Sequence, residues 1–91
     1  MFKNDLLKGK RILVTGGGTG LGEEMASHYA EHGADLYICG RREGVLKETA
    51  DQLVSDYGVN VSYESLDIRA SKDVDDYIQR IFDAGPLDGL V

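Results

Sequence analysis

Five glycines fall within the seven positions 16–22, directly after the apolar or β-branched run Ile12-Leu13-Val14-Thr15. Residues with helical spacing follow, so the stretch reads as strand, turn and helix. A chain that turns so sharply needs residues tolerant of φ > 0, and a phosphate approaches backbone N–H groups closely only where no Cβ intervenes. The start of the next helix adds partial positive charge. The junction is therefore a phosphate cradle or, in the plainer reading, a glycine-rich turn without a ligand.

Spacing separates the loop families. The pattern G-x-G-x-x-G fits no frame: from Gly16 its last position falls on Leu21, and from Gly18 on Glu23. The P-loop fails because Glu23-Glu24 follow Gly17 to Gly22, where that loop needs Lys and then Ser or Thr. T-G-x-x-x-G-x-G does fit, with Thr15, Gly16, Gly20 and Gly22. This resembles the nucleotide-binding motif of the short-chain dehydrogenase/reductase family.

The remaining residues read as a layered α/β chain. Arg11 to Thr15 is the first strand. Leu21, Met25, Ala26 and Tyr29 or Ala30 mark the buried side of a helix that Gly33 ends. Leu36-Tyr37-Ile38-Cys39 is a short apolar run between Asp35 and Gly40, as expected of a strand buried on both faces. A second helix starts at about Glu43, carries Val45, Leu46, Thr49, Ala50, Leu53 and Val54 on one face, and ends at Tyr57-Gly58. Val59, Val61 and Tyr63 alternate with polar residues in a third strand. Ser71 is the expected N-cap of a third helix with the stripe Val74, Tyr77, Ile78, Ile81 and Phe82. Gly85-Pro86 breaks it, and Leu87, Leu90 and Val91 open a fourth strand.

The order β-α-β-α-β-α-β predicts a Rossmann-type doubly wound parallel sheet, N-terminal half only, with strand order 3-2-1-4. Right-handed crossovers put the first two helices on one face and the third on the other, which should leave a large apolar patch on the second face. Asp88-Gly89-Leu90-Val91 stands inside what reads as a central strand. The expectation is one dinucleotide-binding domain over residues 1–91, truncated at its C-terminal end.

Composition narrows the partners. The 91 residues carry a formal net charge of −6 with a pI near 4.7 and no basic patch, which argues against nucleic acid. No apolar run approaches the roughly 20 residues of a membrane span, and residues 1–10 lack the apolar core of a signal peptide. The single Cys39 can form no internal disulfide, which agrees with a reducing, cytoplasmic setting.

If residues 16–22 hold a pyrophosphate, the adenosine lies over the carboxyl ends of the second and third strands. An acid after the second strand would bind both ribose hydroxyls and repel a 2′-phosphate. Here the residues are Cys39-Gly40-Arg41-Arg42, and guanidinium groups suit a 2′-phosphate. NADP(H) is favoured over NAD(H). As plain solvated residues at a helix start, two arginines would oppose the helix dipole. After the third strand, Asp67 could accept from the adenine amino group, with the Ile68 backbone beside it; alternatively Asp67 caps the following turn.

The resemblance then extends from Lys10 to Val91. It takes in the glycine motif, an Arg after the second strand in NADP-preferring members, an Asp after the third, and Gly85-Pro86-Leu87-Asp88-Gly89-Leu90-Val91 leading into the fourth. The glycine wording is most similar to the 2,4-dienoyl-CoA reductase branch. The resemblance implies an NADP(H)-dependent oxidoreductase, a homo-oligomer when complete, that moves hydride to or from a carbonyl, alcohol or enoyl-type small-molecule substrate. It places cofactor contacts at Gly16, Thr19, Gly20, Leu21, Arg41, Asp67 and Ile68, with Gly17, Gly18 and Arg42 alongside.

The family's Asn-Asn-Ala-Gly stretch would begin after Val91, and its Ser and Tyr-x-x-x-Lys lie further on. No Tyr in the chain is followed four residues later by Lys. Without such a Tyr the chain has no proton relay, so by itself it is expected to be inactive. The alternatives are a non-catalytic NADP(H)-sensing module and an interaction fragment that pairs through its sheet edge. His28-Tyr29-Ala30-Glu31-His32 matches H-x-x-E-H, but it sits in the last turn of a helix without a clear third ligand. It is read as structural, with no metal.

Overall fold

The structure is a computed structural model and describes residues 6–16, 20–67 and 69–90. In chain order the elements are β1 (Arg11–Thr15), α1 (Gly20–Glu31), β2 (Asp35–Gly40), α2 (Glu43–Tyr57), β3 (Val61–Ser65), α3 (Ser71–Ala84) and β4 (Gly89–Leu90). All pairings are parallel, in the order β3-β2-β1-β4. The strand order is the one the sequence predicts.

Alternation along the strands divides the core in two. Ile12 and Val14 of β1 and Leu36 and Ile38 of β2 point to one face, where Ala26 and Ala30 of α1 and Leu46, Ala50 and Leu53 of α2 cover them. The intervening Leu13 and Cys39 point to the other face, against Tyr77 and Ile81 of α3. Leu13, Val14 and Ile38 are wholly buried, as expected for strands sandwiched between helices.

The bare second face is smaller than expected. α3 leaves Leu13 and Cys39 at most 1% exposed, with Tyr37, Leu66, Ile78 and Leu87 closing in around them. Leu90, beside Leu13 in the ladder, stays open, as does Phe82. Three positions read as buried helix faces point outward: Leu21 (71% exposed), Val54 and Phe82. Leu21 belongs to the first turn of α1, ahead of the stretch that packs. Val54 and Phe82 each follow a buried residue, and one step turns the side chain about 100° away from a narrow contact stripe.

Ser71 is not the cap of α3 but its first residue. Ala70 holds the cap position with extended backbone and no side-chain hydrogen bond. Its N–H is turned back onto the Asp67 carbonyl at 2.9 Å, so the preceding turn sets where the helix begins. Gly33 and Gly58 follow α1 and α2 where the sequence puts their ends.

Candidate nucleotide-binding site

The carboxyl ends of β1, β2 and β3 meet at one rim. Gly16 leaves β1 with φ +69°, and its N–H donates to the Cys39 carbonyl at 2.7 Å, which ties the turn to β2. Gly20 opens α1 with φ +48°. A Cβ at either would meet no atom within 4 Å, so the demand for glycine is one of backbone conformation rather than space. Leu21 projects from the first turn of α1. The expected contacts at Gly17, Gly18, Thr19 and Ile68 lie outside the described residues.

A Cβ placed on Gly40 would stand 3.5 Å from Leu46 Cδ2 and 4.0 Å from Gly16 Cα. The glycine turn and the end of β2 are thus in adjacent positions, and Arg41 follows directly. Arg41 and Arg42 are both exposed, and neither guanidinium has an ion pair or hydrogen bond among the described residues. Arg42 is the N-cap residue of α2, with extended backbone and no side-chain capping bond. The positive end of the α2 dipole and two cations share one rim, with Glu43 in the first turn as partial compensation. Such a rim is suited to an anion.

Asp67 is held by Arg69. Its Oδ1 accepts from the Arg69 backbone N–H at 2.9 Å and from Nε at 3.1 Å, and its Oδ2 accepts from Nη2 at 3.2 Å. These bonds hold the carboxyl below its usual range, with a smaller contribution from the charge of Arg41. The turn-capping reading of Asp67 therefore describes its own contacts, while its carboxylate stays on the rim near Arg41.

Two residues of this rim were not singled out from sequence, Ser65 and Arg69. The Ser65 hydroxyl donates to the Arg41 carbonyl at 3.1 Å. Its only signal in the chain was parallel register, which pairs it with Gly40.

Elsewhere the chemistry is quiet. Cys39 is buried, and burial, with Glu64 adding to it, pushes its thiol up to about 11. Such a thiol is a poor nucleophile. The His28 and His32 rings lie edge to face with centroids 4.8 Å apart, and among the described residues no three His, Cys, Asp or Glu side chains come together as a metal site. No helix among the described residues is long and apolar enough to cross a membrane.

An open parallel sheet with a glycine turn after its first strand, and its switch point beside that turn, is a doubly wound α/β architecture, in which ligands bind at the carboxyl ends of the strands. The chain belongs to the short-chain dehydrogenase family, whose model matches residues 10–91. It is 37% identical over 91 residues to the peroxisomal 2,4-dienoyl-CoA reductase of Arabidopsis thaliana, covering 99% of this chain and 30% of the relative. It is 36% identical over 91 residues to a hydroxysteroid 11-beta-dehydrogenase 1-like protein of Gallus gallus, covering 99% and 32%. Among solved structures, a short-chain dehydrogenase of Escherichia coli CFT073 complexed with NADPH superimposes with a TM-score of 0.86 at 37% identity, covering 98% of this chain and 38% of that one. The chain spans about a third of the length of the curated relatives it matches. The relatives include 2,4-dienoyl-CoA reductases, the branch that the glycine wording resembles, alongside hydroxysteroid dehydrogenase-like proteins at similar identity.

Proposed function

We propose that residues 1–91 form one NADP(H)-binding domain, the N-terminal cofactor-binding part of a cytoplasmic NADP(H)-dependent oxidoreductase. The observation that carries the reading is the pair Arg41 and Arg42, exposed and unpaired among the described residues at the end of β2, where no acid stands to reject a 2′-phosphate. The NADPH complex of the Escherichia coli relative supports it.

The exposed guanidinium groups of Arg41 and Arg42 at the end of β2 support this reading by their charge. Backbone N–H groups of Gly17, Gly18, Thr19, Gly20 and Leu21 would hold the pyrophosphate at the start of α1, with Gly16, whose own N–H is given to Cys39, forming the turn beside them. Arg41 and Arg42 would grip the 2′-phosphate, with Asp67 and Ile68 at the adenine. The bound nicotinamide supplies or accepts the hydride exchanged with a carbonyl, alcohol or enoyl-type substrate. The chain itself contributes binding and orientation, because it contains no Tyr-x-x-x-Lys to move the accompanying proton. The complete protein is proposed to assemble as a homo-oligomer.

The test is calorimetric titration of the intact protein and its Arg41→Ala variant with NADPH and NADH. Arg41→Ala should weaken NADPH binding by about 1.5–3 kcal/mol, the range for a hydrogen bond to a charged group, and leave NADH binding unchanged. Equal loss for both nucleotides refutes the assignment.

A further inference from the structure

The regular ladder between β2 and β3 ends at the pair Gly40 and Ser65, where the Leu66 N–H donates to the Gly40 carbonyl at 2.7 Å. One residue further the ladder gains a rung made by a side chain, the Ser65 hydroxyl on the Arg41 carbonyl at 3.1 Å. We propose that Ser65 is a positioning residue for the 2′-phosphate: its hydroxyl holds the peptide between Arg41 and Arg42, and so aims both guanidinium groups at one point. This inference rests on the assignment of Arg41 to that phosphate.

The surroundings give the hydroxyl this task. Arg42 caps α2 without a side-chain bond, so among the described residues the Ser65 hydroxyl is the side chain that tethers the segment. Asp67 is the acid whose titration feels Arg41, yet its carboxylate is bound to Arg69 through three hydrogen bonds. Arg41 is thus held by its backbone while its charge stays uncommitted. A long, flexible cation grips an anion better when its backbone is already fixed, since less freedom is lost on binding. The glycine turn takes no part in this contact, so only the phosphate that separates NADPH from NADH should sense it.

The experiment compares the intact protein with Ser65→Ala and Ser65→Thr. Each is titrated with 2′,5′-ADP and 5′-AMP, which differ by the 2′-phosphate, and with NADPH and NADH. Ser65 is exposed, so the alanine variant leaves the core untouched. Loss of one hydrogen bond should weaken 2′,5′-ADP and NADPH binding by about threefold to tenfold. Binding of 5′-AMP and NADH should stay within about twofold, and Ser65→Thr, which keeps a hydroxyl, should restore the preference. Equal weakening of both members of each pair, or none in either, overturns the proposal and leaves the Arg41 assignment standing. Arg41→Ala run alongside separates the two: if it leaves the preference for 2′,5′-ADP intact, the phosphate assignment falls and the positioning role with it.

Discussion

The two ends of the parallel sheet use arginine in opposite ways. At the amino end, Arg11 spends its guanidinium on the protein. Nε and Nη2 both donate to the Tyr37 hydroxyl, Nη1 donates to the Pro86 carbonyl at 2.8 Å, and Nη2 donates to the Ile81 carbonyl at 3.1 Å. The group also lies over the Tyr37 ring at 5.0 Å. The Arg11 backbone exchanges bonds with Asp88, accepting from its N–H at 2.7 Å and donating to its carboxylate at 2.9 Å. β1, β2, the end of α3 and the approach to β4 are thereby stapled together. At the carboxyl end, Arg41 and Arg42 have no such partners among the described residues. One cation is committed to the protein, whereas the other two have no partner among the described residues and are the pair proposed to meet the 2′-phosphate.

The contrast can be broken most sharply at the glycine turn. Gly20→Val puts a β-branched side chain at φ +48°, a region that costs such residues dearly, and places it where phosphate should meet backbone. Detectable NADPH binding should be lost while the far-ultraviolet circular dichroism spectrum is largely kept. Normal nucleotide affinity in this variant would mean that the open end has another role.

Arg11→Ala tests the closed end. Urea unfolding of the intact protein should show a destabilisation of about 2–4 kcal/mol, because several charge-assisted bonds to partly buried acceptors vanish together. NADPH affinity measured below the unfolding transition should not change. A loss of affinity comparable with that of Arg41→Ala would show that the two ends are coupled rather than distinct.

The smallest effect probes the layer beneath the open rim. The Cys39 thiol lies above its ordinary value in the folded state, so folding favours its protonated form. That contribution is fully present below pH 9 and is lost as pH rises towards 11, amounting to about 1 kcal/mol by pH 10. Burial also raises the Tyr77 hydroxyl, which extends the decline above pH 10. Urea midpoints between pH 8 and pH 10.5 should fall more steeply for the unsubstituted protein than for Cys39→Ala. Parallel slopes would show that solvent reaches the thiol and that the open end extends deeper than the rim.

The element order, the 3-2-1-4 strand order and the glycine turn after β1 were determined by the sequence alone. Apolar runs too continuous to face water, helical stripes between them and right-handed crossovers leave few other arrangements. Arg41 and Arg42 were legible for a similar reason: strand ends are local, and residues just beyond the end of β2 occupy the rim whatever the side chains do. Contacts that depend on how elements are rotated and registered against one another were decided only by the tertiary structure. Leu21, Val54 and Phe82 face outward because a one-residue step turns a helix side chain by about 100°, finer than periodicity resolves. Arg11 finds Tyr37, Ile81 and Pro86, and Ser65 finds Arg41, across 24 to 75 residues of chain. Those pairings exist only once the sheet has fixed its register, because a hydrogen bond tolerates a few tenths of an ångström and a sequence pattern carries no distances.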